Sequence, residues 1–389
     1  MLRASENISA EIIVVDNNST DGSRSYFKNR FEPVTFLWQK ENVGFSRANN
    51  LGLHYASGKY VLFLNPDTIV AEDAFEKCVS YFENDASIGA VGVKMVDGTG
   101  SFLKESKRGF PGPLTSLYKI SGFSTLFPRS AVFARYYLGD KDENTTQEVD
   151  VLAGAYLMVR KKVLDETGSF DEDFFMYGED IDLSYRIQTA GYRNIYIAET
   201  SIIHFKGEST KIGSMNYLKL FYGAMSLFVR KHYSGGLATL YTVLIRLAIW
   251  GKALLSGVGH LLRDALTKAP NSSNVSALVV SDSKEYHFVR TAMERQGINQ
   301  HPIGRVSGDD LDQKDSLGHL DHLAELVNRY RAEEIIFCPG TYAVQDIITM
   351  MRTLGPAIHY RFHLAGSNSI VGSFGSNIAG EPARIPSAL

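Results

Sequence analysis

Two short apolar runs that each end in an acid, EIIVVD at 11–16 and YVLFLNPD at 60–67, constrain this chain more than any other feature. Runs of this length, rich in β-branched and aromatic residues, form buried strands. Residues 34–39 (VTFLWQ) and 90–95 (AVGVKM) have the same character, and the stretches between all four carry helical patterning or turn residues. The alternation predicts an α/β fold. The connections DNNSTDGS at 16–23 and NVGFSRANNLGLHYA at 42–56, the second entering a helix near Gly44, follow strand ends, where open α/β sheets bind ligands.

Further along, VDVLAGAYLMVR at 149–160 predicts another strand, FFMYGEDIDLSYRI at 174–187 a helix with an aromatic entry, and NIYIAETSIIHF at 194–205 a long strand. The first α/β domain is expected over residues 1–212. From 213 to 270 the pattern turns helical and strongly apolar, with LATLYTVLIRLAIWGKALLSGVGHLL at 237–262. Arg246 and Lys252 interrupt that run, and a basic residue at a bilayer centre costs roughly 2.5–3.5 kcal/mol. A helix lying in the interface avoids that cost, and six Lys or Arg against one acid over 230–268 suit an anionic membrane surface. A helix buried against a neighbouring domain is the alternative. After a polar linker, KAPNSSNVS at 268–276, the β-α alternation resumes, which predicts a second, small α/β domain over 275–389. Its first turn, SDSKEYHF, lacks the glycines that admit a pyrophosphate, so dinucleotide binding is not expected there.

With 389 residues, 44% apolar and a net charge of -3, the chain has ordinary globular composition and no global field to recruit nucleic acid. Two cysteines, Cys78 and Cys338, give no disulfide framework and fit a reducing compartment. No basic and apolar leader follows Met1, so export is not expected.

Asp16 and Asp67 each leave a strand end, and two acids at two strand ends of one sheet would converge on one cleft; hard oxygens there suit a divalent cation that also holds phosphates. For Asp16 alone, capping the next helix is the competing role. His204, in SIIHFKGES, would complete such a site if it faces the same edge, with Lys206 toward phosphate. Gly178 reads as a helix entry, which places Glu179 and Asp180 in the first turn, where the helix dipole favours ionised carboxylates. Asp182 and Arg186 are spaced i, i+4 and are expected to pair on the solvated face, while Leu183 and Ile187 face the core. A carboxylate beside a metal-bound phosphate ester can take the proton of an acceptor hydroxyl, and Asp180 is the expected base.

EIIVVDNNSTDGS, ENVGFSRANNLGL, YVLFLNPDTIV, LAGAYLMVRK and FFMYGEDIDLSYRIQTAGYRNIYIAETSIIHFKGEST together resemble the inverting family 2 glycosyltransferases of the GT-A fold, in their rhamnosyltransferase-like branch. The resemblance implies that Asp16 and Asn18 bind the donor nucleotide, that Asn49 lies near the nucleoside, and that Asn65 and Asp67 form the DxD-equivalent motif. It further implies that Asp67 ligates Mg2+ or Mn2+ with help from His204, and that Lys206 serves the donor. Gly154 and Ala155 would border the acceptor, Arg108 would lie near the acceptor or diphosphate, and Asp180, with Glu179 before it, would be the base. The implied partners are a dTDP-, UDP- or GDP-sugar and a glycan or polyprenyl-linked acceptor, at the inner face of the cell membrane. Members of the family begin with a strand and loop of the type VSIIIVNYN, absent before EIIVVD here. The Asp16 strand is therefore expected to carry an unpaired apolar edge. If the donor pocket is incomplete, the alternative is a non-catalytic, glycosyltransferase-like scaffold. Residues 275–389 resemble the Rossmann-like domain fused to some polyprenyl-phosphate sugar transferases.

Overall fold

The computed structural model describes residues 1–27, 31, 33–205, 215–233, 276–295, 302–308, 315–364, 367 and 369–372. Lys206, most of the 213–270 stretch including 237–262, and nearly all of the 268–276 linker lie outside them.

The first two strands, β1 (Ile12–Asp16) and β2 (Val34–Trp38), pair in parallel as a sheet of their own. Between them lies α1 (Ser23–Phe27), and after them α2 (Phe45–Leu53), whose entry is Gly44 at φ 87°. A Cβ at Gly44 would stand 2.7 Å from the Phe175 ring, so only glycine fits there. Then come β3 (Tyr60–Leu64), β4 (Thr68–Val70), α3 (Ala74–Asn84) and β5 (Ile88–Val96). Helix α3 buries Phe75, Cys78 and Phe82, one stripe at helical spacing. Every residue of β5 is buried, as in a strand covered on both faces.

A longer excursion follows: β6 (Lys107–Arg108), α4 (Pro113–Ile120), α5 (Phe123–Leu126), β7 (Gln147–Glu148) and β8 (Val151–Leu152). The chain returns through β9 (Tyr156–Arg160), α6 (Lys161–Thr167), α7 (Glu179–Thr189), β10 (Arg193–His204) and α8 (Met215–His232). The main sheet has the order β3-β9-β5-β10-β4, with β7 added on β10. Strands β5 and β10 run parallel and their neighbours antiparallel. A register shift between Ile197 and Ser201 bends β10. Past it, His204 pairs with Thr68 of β4.

Two expectations change here. Residues 149–160 are not one strand: β8 and β9 are separated by a turn at Ala153–Ala155, because β8 pairs with β6 and β9 with β3 and β5. Asp16 and Asp67 do not share a sheet either. The β1–β2 pair is tied to the rest by other contacts, with Glu11 Oε1 accepting from the Ser57 and Gly58 amides and Asn17 bonded to Val43 N–H and the Gly44 carbonyl.

A second sheet has the order β13-β12-β11-β14-β15-β16. It comprises β11 (Ala277–Val280), β12 (Gly304–Ser307), β13 (Ser316–His319), β14 (Glu334–Phe337), β15 (His359–His363) and β16 (Ile370–Gly372), parallel except for the last. Helices α9 (Ser283–Arg295), α10 (Leu323–Tyr330) and α11 (Val344–Leu354) cover it. Apolar packing is continuous between the two sheets. Phe205, next after His204, meets Phe362 edge-on at 5.4 Å, and the Val344 amide, at the start of α11, donates to Glu72.

Candidate active site

The Ala153–Ala155 turn gathers the site. The Ala155 carbonyl accepts from the Asn65 amide at 3.0 Å, which holds the turn after β3 against it. The Gly154 amide donates to Asp180 Oδ2 at 3.0 Å. On the far side of that turn Asp67 is fixed twice, through its carbonyl to the Phe205 amide at 2.9 Å and through the β4–β10 pairing. His204 Nε2 then stands 3.3 Å from Asp67 Oδ1. Asn65, Asp67, Ala155, Gly154, Asp180 and His204 thus form one chain of contacts along a sheet edge.

Asp180 enters this edge because Gly178, at φ 85°, turns the chain into α7. Arg108 Nη2 donates to the same Asp180 oxygen and to the Leu152 carbonyl, since the β6–β8 pairing lays Arg108 opposite Val151. Both side chains are about nine-tenths buried. In such surroundings a charge needs a partner, and each supplies the other's. A Cβ on Gly154 would stand 3.3 Å from that of Asp180, so the turn must stay slim for its amide to reach the carboxylate.

Glu179 departs from expectation. The dipole of α7 favours its ionised form, but the side chain is buried and its Oε2 has no hydrogen-bond partner. Burial, reinforced by the Asp180 charge beside it, pushes its carboxyl up to about 8. Desolvation outweighs the dipole because the dipole is worth only about 0.3–1 kcal/mol.

Asp182 departs as well. It pairs with Arg186 at 2.8 Å, as the spacing requires, yet it is 1% exposed and its other oxygen meets His232 Nε2 at 2.6 Å. Helix α8 covers the face expected to be solvated and locks α7 in place. The aromatic entry divides likewise: Phe174 is core against Val151, Ile181 and Phe228, while Phe175 is 51% exposed over Gly44.

The donor-side residues are more dispersed. Asp16 Oδ2 accepts from the Ser19 amide at 3.1 Å, a turn contact ahead of α1 and not the helix cap given as its alternative. Asn18 is exposed with φ 67°. Asn49 donates back to the Phe45 carbonyl of its own helix at 2.9 Å. Sequence reasoning missed Tyr136, buried beside Arg108, and His232; neither sits in a motif, and only tertiary packing brings them in. A cavity of about 290 Å3 lies beside Asn42, Arg47, Glu172 and Phe175. A larger one, about 570 Å3, is lined by Asp85, Glu148, Arg193 and Glu199 and includes no candidate residue.

Three buried polar atoms without partners bear on a cation: Asn65 Oδ1, Asp67 Oδ1 and His204 Nδ1. Unsatisfied oxygens at Asn65 and Asp67, with the His204 imidazole against Asp67, are donors of the kind that suits a divalent ion.

The Glu179 shift makes stability depend on pH. The folded protein keeps a proton that the unfolded chain releases near the ordinary value of 4.5. That contribution is complete below about 4.5, declines as pH rises, and is gone above about 8. Glu179→Gln should therefore lose less thermal stability than wild type between about pH 5 and about pH 8. Parallel melting-temperature profiles for the two proteins would refute a buried, protonated Glu179.

Residues 2–168 match the family model described as Glycosyl transferase family 2. The chain is 25% identical over 236 residues to the N-acetylglucosaminyl-diphospho-decaprenol L-rhamnosyltransferase of Mycobacterium tuberculosis, covering 58% of this chain and 76% of that protein. It is 28% identical over 171 residues to the rhamnosyltransferase WbbL of Escherichia coli, covering 42% and 61%. With the low-salt glycan biosynthesis hexosyltransferase Agl10 of Haloferax volcanii it shares 28% identity over 199 residues, covering 50% and 57%. A solved mannosyltransferase from Pyrobaculum calidifontis, in complex with GDP-Man and Mn2+, matches with a TM-score of 0.39 and 18% identity over 67% of each chain. Over residues 2–168 the chain is thus similar to the family 2 glycosyltransferases, and the relatives it matches are named as glycosyltransferases.

Proposed function

We propose that the protein transfers a sugar, with inversion, from a nucleotide-sugar donor to a glycan or lipid-linked glycan at the inner face of the cell membrane. The observation that carries this reading is the Asp180 carboxylate, buried, gripped by Arg108 and the Gly154 amide, and joined through one turn to Asn65, Asp67 and His204.

In the proposed reaction Asp180 takes the proton of the acceptor hydroxyl as its oxygen bonds to the anomeric carbon. The bond from that carbon to the diphosphate breaks on the opposite face, and the nucleoside diphosphate leaves. Arg108 and the Gly154 amide hold the carboxylate in line; Gly154 and Ala155 border the acceptor. A divalent cation, Mg2+ or Mn2+, would be held by Asp67 and His204 beside the Asn65 amide oxygen, and when bound it supplies charge that balances the departing diphosphate. Asp16, Asn18, Asn49 and Lys206 are proposed to serve the donor. Two relatives named as rhamnosyltransferases, one on an N-acetylglucosaminyl-diphospho-decaprenol, favour rhamnose as the sugar and a polyprenyl-linked acceptor. Residues 1–212 are proposed as the catalytic domain and 275–389 as a Rossmann-like scaffold. The match of residues 2–168 to the family model and the relatives named as glycosyltransferases favour this over a non-catalytic scaffold.

Among the described residues no helix is long and apolar enough to cross a membrane. Membrane association is proposed instead through the surface just beyond Arg108. There Leu114, Leu117, Phe123, Leu126, Phe127 and Val132 are all exposed. From Ser106 to Gly139 the chain has five Lys or Arg and no Asp or Glu. An apolar patch in a basic setting suits an anionic bilayer, which would present a lipid-linked acceptor to Arg108.

Asp180→Asn should abolish transfer while leaving donor affinity within about twofold, and Arg108→Gln should lower kcat by roughly 100-fold with partial rescue by Arg108→Lys. Wild-type turnover in Asp180→Asn would end the assignment of the base. For the surface, replacing Leu114, Leu126 and Phe127 together by Gln should weaken sedimentation with anionic vesicles by roughly 100-fold or more. Turnover of a short water-soluble acceptor should be unchanged. Equal pelleting of variant and wild type would reject the surface and leave the catalytic reading standing.

A further inference from the structure

The second sheet holds a group of side chains that glycosyl transfer does not use. In its order, β11 and β14 are adjacent, and their connections leave in opposite directions, to β12 on one side and β15 on the other. Parallel sheets open a crevice at the carboxyl ends of two such strands. Here the first turn offers a pyrophosphate no glycine, and the crevice is occupied differently.

Glu285 comes from the first turn of α9, Cys338 directly follows β14, and His363 ends β15. The Glu285 carboxylate, the Cys338 thiol and the His363 imidazole present ligand atoms all within 4.8 Å of one another. Strand alternation accounts for the convergence. Cys338 packs with Val279, Ile336 and Ile370 beneath α9, whereas Phe362 and Phe337 turn to the opposite face toward the first sheet.

The group is unfinished as protein. His363 is 1% exposed, and its Nδ1 makes no hydrogen bond although Glu285 Oε2 stands 3.4 Å away. Glu285 Oε2 makes no hydrogen bond either, so the two atoms face each other at 3.4 Å without closing one. The other imidazole nitrogen, Nε2, faces the Ser367 carbonyl at 3.2 Å, which leaves Nδ1 free to act as a ligand.

We propose that Glu285, Cys338 and His363 bind one zinc ion, with water as the fourth ligand. A thiolate, an imidazole and a carboxylate form a donor set suited to zinc over Mg2+ or Mn2+. In a tetrahedral site with bonds of about 2.0–2.3 Å the ligand atoms lie roughly 3.3–3.8 Å apart. The Glu285–His363 separation already meets this, and the 16% exposed Glu285 side chain is placed to close the remainder and to admit the water. The ion would pin α9 to β14 and β15.

The test uses the full chain loaded with Co2+, because thiolate-to-cobalt charge-transfer absorption reports a cysteine ligand. Wild type should show that band and retain about one equivalent of zinc after desalting. Cys338→Ser should lose the band, and Glu285→Gln or His363→Gln should weaken zinc binding by roughly 100-fold. Cys78→Ser and Asp67→Asn should keep the band, which separates this site from the glycosyltransfer site and from the other thiol. No band and no retained zinc in wild type would overturn the proposal without reference to any variant, as would a Cys338→Ser protein that loads like wild type.

Discussion

The first sheet is organised around one carboxylate that has been taken out of water. Asp180 is tolerable in its buried place because Arg108 and the Gly154 amide complete one oxygen and the Ile181 amide donates to the other. The first two of those partners each commit a separate part of the chain. Arg108 requires β6 to lie against β8, and Gly154 requires a turn between β8 and β9 where a continuous strand would otherwise run. The same turn carries Ala155, whose carbonyl fixes Asn65 and hence the position of Asp67 against His204. Removing Asp180 from this arrangement would leave a buried guanidinium and a turn with no function to hold it.

Much of this edge was legible in the sequence, and the reason is local. Strand ends followed by acids, a glycine before α7 and the i, i+4 pair of Asp182 and Arg186 are all short-range patterns, and each is realised. Errors arose where a distant segment decided the outcome. Asp182 was assigned to solvent because nothing in its own helix announces that His232 and α8 will cover it. The break at 153–155 was hidden because VDVLAGAYLMVR has the composition of one strand, while its pairing partners belong to three different parts of the chain. Tyr136 had no pattern to betray it. Asp16 and Asp67 seemed to share a sheet because both end apolar runs, whereas strand pairing, which sequence does not specify, puts β1 with β2 alone among the described residues.

The acidic pair at the start of α7 illustrates how burial overrides sequence context. Two adjacent carboxylates at a helix N-terminus read as two anions. Packing leaves one cation between them, Arg108, which hydrogen-bonds to Asp180, and Glu179 responds by holding its proton toward about 8. A neutral Glu179 keeps a second negative charge away from the place where a diphosphate is proposed to depart. The second sheet repeats the theme with other chemistry: its crevice at the reversal of strand order is filled by side chains whose polar atoms are left unmatched.

The central claim is that the narrow turn at Gly154 sets the aim of Asp180. A methyl group added at this position enters within 3.3 Å of the Asp180 Cβ, and the three atoms nearest to it all belong to Asp180. Steady-state kinetics of Gly154→Ala at saturating donor and acceptor test this directly. The account predicts a fall in kcat of about tenfold or more, with the donor KM within about twofold of wild type. An unchanged kcat, or a defect confined to donor KM, would contradict it.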